Sequence, residues 1–328
     1  MEKVVIALDA MGGDYAPEQT VKGAVEAVNS SDEIRVILVG KQDMIAKELE
    51  KYEYAKEDIE VVHASEIIDM GDVPTVAIKD KKDSSLVVAM RLVREGKADA
   101  LVSAGSTGAV LVGGQLVVGR LKGIKRPPLA PFIPTTKGFS LLIDCGANVD
   151  ARPEHLVQFA QMGSIYYENV MGKKNPTVAL LNIGTEEEKG NQLVKDTKPL
   201  MKECKNINYI GSVEARELVS GAADVIVCEA FVGNVVLKFF EGLALTLFGS
   251  LKEGLMSSTR TKLGALLVKP ALKGLKNQFD TSSQGGAPLL GLKGLVVKAH
   301  GNSSSKEIEI ALKQCISCLL YTSPSPRD

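Results

Sequence analysis

Short apolar runs recur along this 328-residue chain, each closed by a small or polar residue and set apart by helix-length stretches. Val4-Val5-Ile6-Ala7-Leu8 ends at Asp9, Val36-Ile37-Leu38-Val39 at Gly40, and Ala100-Leu101-Val102 at Ser103. Leu141-Leu142-Ile143 ends at Asp144, Val178-Ala179-Leu180-Leu181 at Asn182, and Val225-Ile226-Val227 at Cys228. Unbroken apolar runs of this length, rather than alternating ones, belong to strands buried on both faces. The pattern predicts a mostly parallel sheet with helices on both sides, a three-layer α/β/α sandwich. Ligands in such sheets bind beyond the carboxyl ends of the strands, and the Gly-rich and polar motifs fall there. No internal repeat or low-complexity linker divides the chain, so one domain is expected over residues 1–316.

Composition removes several function classes. Lys and Arg balance Asp and Glu to a net charge of −1, aromatics are 5% and Trp is absent. Neither a global basic field nor stacking platforms are present to hold nucleic acid. The five Cys are an odd number and no signal segment precedes the first run, which fits a reducing cytoplasm better than a disulfide framework. Cys315-x-x-Cys318 is a lone pair, and three His leave little ligand stock, so no metal and no cofactor is expected. No unbroken run approaches the ~18 apolar residues of a membrane span.

Two segments depart from the pattern. Residues 245–279 hold Lys252, Arg260, Lys262, Lys269, Lys273 and Lys276 against the single acid Glu253. Phe248, Leu251 and Leu255 share one helical face; Val268, Leu272, Leu275 and Phe279 share another. Pro270 suits the first turn of a new helix, so two short amphipathic helices are expected there. Such a hairpin packs on the core or a sister subunit, or lays Leu263, Leu267 and Leu275, flanked by Lys269 and Lys273, on an anionic membrane surface. The end, Tyr321-Thr-Ser-Pro-Ser-Pro-Arg-Asp328, has neither periodicity nor apolar content. Residues 317–328 therefore read as an artefactual tail, to which Cys318 is assigned.

Three motifs carry chemistry. Ser103-Ala-Gly105-Ser106-Thr107-Gly108-Ala109 sits between a strand and a helix, where small residues and free N–H groups hold an anion or merely make a tight turn. It matches neither GxGxxG nor the P-loop. Asn182-Ile-Gly184-Thr185-Glu-Glu-Glu188-Lys189 repeats the logic, with Thr185 and Glu188 spaced as a capping box and Lys189 able to pair with phosphate. Asp144, Asn148, Asp150 and His155 cluster after another strand, and His300 lies in Lys298-Ala-His-Gly301. No Gly-x-Ser-x-Gly elbow occurs.

Taken with Asp9-Ala-Met-Gly12-Gly13-Asp14, Gly119 to Pro127, Val213-Glu-Ala-Arg216 and Phe231-Val-Gly-Asn234-Val235, these stretches resemble the PlsX family of bacterial phosphate acyltransferases, in order from residue 1 to about 316. Two positions depart from its usual pattern: Ser106 replaces an Asn, and Glu229-Ala230 replaces Asp-Gly before Phe231. The resemblance implies a fold similar to the isocitrate dehydrogenase and phosphotransacetylase group. It also implies a homodimer and a cytoplasmic enzyme visiting the inner face of the membrane. The implied reaction is attack of orthophosphate on a long-chain acyl-acyl carrier protein, giving acyl phosphate and free carrier early in phospholipid synthesis.

That chemistry needs an anion cradle, donors for a tetrahedral oxyanion and an acid for the departing thiolate. The backbone of Gly105 to Gly108 and Lys189 are candidates to hold phosphate, Asn182 and Asn234 to donate to the oxyanion, and His300, ahead of His155, to transfer the proton. Asp9, Gly12, Gly13, Asp144, Asn148, Gly184 and Thr185 are further candidate phosphate- or substrate-binding positions. Arg120, Lys122, Lys125 and Arg126 either meet the acidic carrier or form a solvated loop. A phosphotransacetylase acting on acyl-CoA and a non-catalytic membrane-surface scaffold remain as alternatives.

Overall fold

The computed structural model describes residues 3–279 and 285–322. In chain order the elements run β1 (Val4–Asp9), α1 (Glu18–Asn29), β2 (Ile34–Gly40), α2 (Gln42–Leu49), β3 (Ile59–His63), α3 (Pro74–Asp80), α4 (Ser85–Arg94), β4 (Ala100–Ser103) and α5 (Thr107–Gly113). Then follow β5 (Phe132–Thr135), β6 (Gly138–Ile143), α6 (Pro153–Met171), β7 (Thr177–Asn182), α7 (Gln192–Glu203), β8 (Asn208–Glu214) and β9 (Val225–Val227). The remainder is α8 (Ala230–Met256), α9 (Thr259–Gln278), β10 (Ala287–Leu289), β11 (Leu295–Lys298) and α10 (Ser305–Thr322).

All six expected runs are strands, but they divide between two sheets. One has the order β10-β11-β4-β1-β2-β3, the other β5-β6-β9-β7-β8. Each is parallel apart from one antiparallel edge pair, β10 with β11 and β5 with β6. The sheets belong to two compact units: residues 1–131, 165–174 and 284–328 form unit 1, and residues 132–164 and 175–283 form unit 2. The chain thus divides where the sequence pattern points to a single domain.

In unit 1, Ile6, Leu8, Val36, Leu38, Ala100 and Val102 are buried with Val21, Ala24 and Val25 of α1 and Ile308, Leu312 and Cys315 of α10. Gly23 permits that helix pairing: a Cβ there would lie 2.6 Å from Ile308 Cβ and 2.7 Å from the Ser305 carbonyl. Cys318, assigned above to the tail, is buried, its sulfur 3.3 Å from the Tyr166 hydroxyl. The last six residues of the assigned tail, 323–328, lie outside the described residues. In unit 2, Leu142, Ala179, Ile226, Leu181 and Cys145 form the core, with Val232, Val236 and Leu237 of α8 packed against it.

The hairpin differs from expectation in its break. The turn falls at Ser257–Ser258, where Ser258 Oγ accepts the Thr261 N–H, and Pro270 lies inside α9. The serine cap supplies a start signal that proline alone does not. α8 is also long and apolar enough to cross a membrane by length and composition, with a mean hydropathy of 1.6 over 18 residues, although Asn234, Lys238 and Glu241 interrupt any unbroken run.

Ser30 on the residue after α1 donates to Glu309 of α10 at 3.0 Å, and Lys306 and Lys313 donate at 2.6 and 2.8 Å. Burial opposes the Glu309 charge, yet the two lysines and the serine outweigh it and bring the carboxyl down to about 2. A depressed folded pKa contributes stability that is present above the unfolded value, near 4.5, and is lost as pH falls toward 2. Urea melts of Glu309→Gln against the parent should differ by up to ~3 kcal/mol at pH 7 and converge below about pH 2. A constant difference across that window would remove the ion network as its source.

Candidate active site

At the carboxyl ends of β1, β4 and β11, unit 1 builds a polar cluster on one buried carboxylate. Asp9 is 2% exposed. Ser103 Oγ donates to Asp9 Oδ2 at 2.8 Å, and the Gly105 N–H donates to Ser103 Oγ at 3.1 Å. Gly12 and Gly105 rest on this chain: a Cβ on Gly105 would stand 3.3 Å from both Asp9 Oδ2 and Ser103 Oγ, and one on Gly12 would stand 2.8 Å from the Gly105 nitrogen. Burial raises the Asp9 pKa, against Ser85, Ser103, the Met11 amide and the Lys298 charge, which lower it. Lys298, a residue the sequence reading left without a role, is buried with its Nζ on the carbonyls of Ala299 and Ala104, the latter at 3.4 Å. The Asp14 N–H donates to the Gly301 carbonyl at 2.8 Å, tying the Gly12-Gly13 turn, whose Gly13 has φ +108°, to the His300 turn.

This scaffold decides which amides face outward. The Gly105 N–H is spent on Ser103, so it is not the anion donor the sequence reading assigned to it. Among the described residues, the N–H groups of Ser106, Thr107, Gly108 and Ala109 have no protein partner, as expected in the first turn of a helix. His300 is exposed, with Nδ1 2.6 Å from Asn302 Oδ1. Asn302 Oδ1 can only accept, so Nδ1 is the donor of this pair.

Unit 2 builds a second cluster where β6, β7 and β9 end. Asp144 is fully buried; Oδ1 accepts from the Ala147 N–H at 3.1 Å and Oδ2 from Asn148 Nδ2 at 2.7 Å. The Asn148 carbonyl receives the Ala230 N–H at 3.2 Å, so this loop seats the start of α8. Glu229 caps that helix with both oxygens, accepting the N–H groups of Phe231 at 2.6 Å and Val232 at 2.9 Å. A carboxylate at this position preserves the cap that an Asp would make. Asn234 follows on the exposed side of the first turn. Cys145 and Cys228 are buried, and burial pushes both thiols well up, away from the thiolate form.

His155 is held differently from His300. It is buried at the start of α6, and its Nδ1 accepts the Arg152 N–H at 3.1 Å. This is a capping role, in which Nδ1 is the acceptor.

The loop after β7 also departs from expectation. Thr185 and Glu188 do not cap a helix; α7 begins later, with Asn191 Oδ1 accepting the Val194 N–H at 2.9 Å. Asn182 spends its amide protons on the carbonyls of Gly184 at 2.8 Å and Lys189 at 3.0 Å, so in this arrangement it braces the loop and has no proton left for a substrate oxyanion. Lys189 is exposed and pairs with Glu186 at 2.7 Å, which raises the lysine pKa and lowers that of the glutamate. Sequence reasoning assigned nothing to Lys198, whose Nζ is buried among carbonyls of this same loop. Gly105 to Gly108 fall in unit 1 and Lys189 in unit 2.

A family described as fatty acid synthesis protein matches residues 4–322. A phosphate acyltransferase of Alkaliphilus oremlandii is 56% identical over 311 residues, covering 95% of this chain and 92% of that one. The chain belongs to the phosphate acyltransferase family. It is an acyltransferase, and its resemblance to that family in sequence is borne out. A phosphate acyltransferase of Clostridium acetobutylicum is 50% identical over 315 residues, 96% of this chain and 95% of its own. A phosphotransacetylase of Streptococcus pyogenes superposes with a TM-score of 0.67 at 17% identity, covering 97% of this chain and 94% of that one. The expected α/β fold of the phosphotransacetylase group is therefore present.

Gly233 marks how tightly the second cluster is built. A Cβ there would overlap the Asp144 carbonyl oxygen and lie 3.0 Å from Cys228 Sγ. Gly233→Ala should destabilise the protein by ~1–3 kcal/mol, read as a lower urea midpoint. An unchanged midpoint would show that α8 shifts without cost and that its start does not fix Asn234.

Proposed function

We propose that the chain transfers a long-chain acyl group from acyl-acyl carrier protein to orthophosphate, releasing acyl phosphate and free carrier for phospholipid synthesis. The observation that carries this reading is 56% identity to a phosphate acyltransferase across nearly its whole length. Orthophosphate is largely dianionic near neutral pH, so it needs positioning and charge more than deprotonation. Lys189 and the outward amides of its loop supply both in unit 2. The unpaired amides of Ser106 to Ala109 serve the same class of ligand in unit 1. Asn234 is assigned as donor to the oxyanion that forms as a phosphate oxygen bonds the thioester carbon. When the C–S bond breaks, the proton that the phosphate gives up on acylation goes to the departing sulfur, a transfer assigned to His300.

Purified protein given phosphate should consume long-chain acyl-carrier protein and release acyl phosphate, with acyl-CoA a poor donor. Equal or faster use of acyl-CoA would make it a phosphotransacetylase, and no acyl loss with phosphate or arsenate would leave a scaffold. Lys189→Ala should raise the phosphate KM about tenfold or more, and Asn234→Ala should lower kcat by ~100-fold or more. Near-parental constants in folded protein would reject those two roles.

The apolar side chains of α8 and α9 support a homodimer and a peripheral seat on the cytoplasmic face of the membrane. Phe239, Leu243, Leu245 and Leu247 stand exposed along α8 and are assigned to a second copy of the chain. On α9, Leu263 and Leu267 are exposed, Leu267 at 84%, beside Lys269 and Lys273, and the described helix bears no acid. Apolar side chains flanked by cations fit an anionic bilayer surface. Leu267→Glu with Leu275→Glu should release the protein from phosphatidylglycerol vesicles while sparing turnover in detergent-free solution. Unaltered co-sedimentation would reject the membrane seat.

A further inference from the structure

We infer that Lys198 is a positioning residue for the loop at residues 184–190, holding it so that the carbonyls of Glu186, Glu187 and Lys189 face inward while the N–H groups of Thr185, Glu187, Glu188 and Gly190 and the Lys189 side chain face outward. The inference rests on the phosphate reading of Lys189. Lys198 lies on α7, is 4% exposed and has no carboxylate partner within ion-pair distance among the described residues. Its ammonium instead donates to three carbonyls of one loop: Glu186 at 2.9 Å, Glu187 at 2.9 Å and Lys189 at 3.0 Å. An ammonium has three protons, so every donor is used. A buried charge satisfied only by main-chain dipoles is costly to build. The loop therefore carries a geometric demand that neutral packing would not meet.

The consequence for the outer face follows from peptide geometry. In a planar trans peptide the C=O of one residue points opposite to the N–H of the next. Lys198 turns inward the carbonyls of Glu186, Glu187 and Lys189, and Asn182 turns inward those of Gly184 and Lys189. The N–H groups of Thr185, Glu187, Glu188 and Gly190 therefore point outward. None of the four has a protein partner among the described residues. Gly190, at φ +121°, closes the loop where a Cβ would meet Asn182 Oδ1 at 2.8 Å. The Lys189 N–H turns back to the Glu186 carbonyl at 3.3 Å, so the consecutive outward amides are those of Glu187 and Glu188, flanked by Thr185 and Gly190. Converging main-chain amides of this kind suit an oxyanion, and the Lys189 side chain stands beside them.

The acidic side chains of the loop do not cancel this arrangement. Glu186 is paired with Lys189, and Glu187 with Lys202 at 2.8 Å; both carboxyls are held below their ordinary range by those lysines, with Lys198 adding its charge from beneath. A dianion arriving at the loop can take the Lys189 ammonium from Glu186, since an exposed pair of this kind is worth little.

The test is a double-mutant cycle on phosphate kinetics. Lys198→Met keeps the aliphatic stem and removes the three donors; it should raise the phosphate KM about tenfold while moving kcat less than threefold. Lys198→Gln, with two donors, should fall between Met and Lys. In the Lys189→Ala background, Lys198→Met should add less than about twofold, because its effect passes through the loop that carries Lys189. An unchanged KM for folded Lys198→Met overturns the inference, as does an undiminished tenfold effect in the Lys189→Ala background, which would make Lys198 a general support. If Lys189→Ala alone leaves the phosphate KM unchanged, the phosphate reading itself fails, a result separable from either of these. Should Lys198→Met not fold, the Gln variant decides by the same comparison.

Discussion

Main-chain polar groups at the end of a buried strand must find partners before the chain can turn, and this requirement organises both units. A strand interior satisfies its amides through the sheet ladder, but the first residues beyond it have no neighbour to pair with. Here short polar side chains at those exits take over. Asp9 holds Ser103, which holds the Gly105 amide. Asp144 holds the Ala147 amide and Asn148. Asn182 holds two carbonyls of the loop that follows it. In each case the inward group is spent on the fold, and the opposite side of the same peptides is what remains for a ligand.

This division of labour explains why positions were easier to read than roles. The runs that became β1, β2, β4, β6, β7 and β9 were legible because a strand buried on both faces has no polar alternation to hide it. β8 was not, since Asn208-Tyr-Ile-Gly-Ser-Val-Glu214 is an edge strand, half-exposed along most of its length and interrupted by a shift of register near Gly211. The separation into two sheets was also hidden. A run of valines records that a strand is buried, but not which strand lies beside it. At the site, Asn182 and Lys189 stood out by type and spacing, whereas Lys198 did not. A lysine on an amphipathic helix looks like a solvated one until the loop carbonyls around it are seen.

The same reasoning bears on α8. Its composition suits a bilayer, yet its first turn is fixed by Glu229, by the Asn148 carbonyl and by a glycine packed on the Asp144 carbonyl. A helix bound this way at one end carries its exposed apolar length as a consequence of where it starts. Burying that length against a second copy or at an interface then couples the cover of the helix to the geometry at its root, where Asn234 sits.

A further point concerns charge. The loop after β7 places three consecutive glutamates where the reading requires an anion to bind, which at first sight opposes the reaction. Around them stand Lys189, Lys198 and Lys202, so the loop is near neutrality before any ligand arrives. The three lysines are not equivalent, because Lys198 is buried and held by carbonyls while the other two are exposed and paired with carboxylates. Displacing an exposed glutamate from Lys189 costs little, whereas removing the buried ammonium would leave the Glu187 carbonyl without its donor and take one of two donors from the carbonyls of Glu186 and Lys189. On the proposed reading the fixed charge sets the shape of the loop, and the exchangeable pair leaves room for an anion to compete. Under the proposed phosphate role, a loop with no glutamates would hold the anion more tightly and release product more slowly, so partial neutralisation suits turnover.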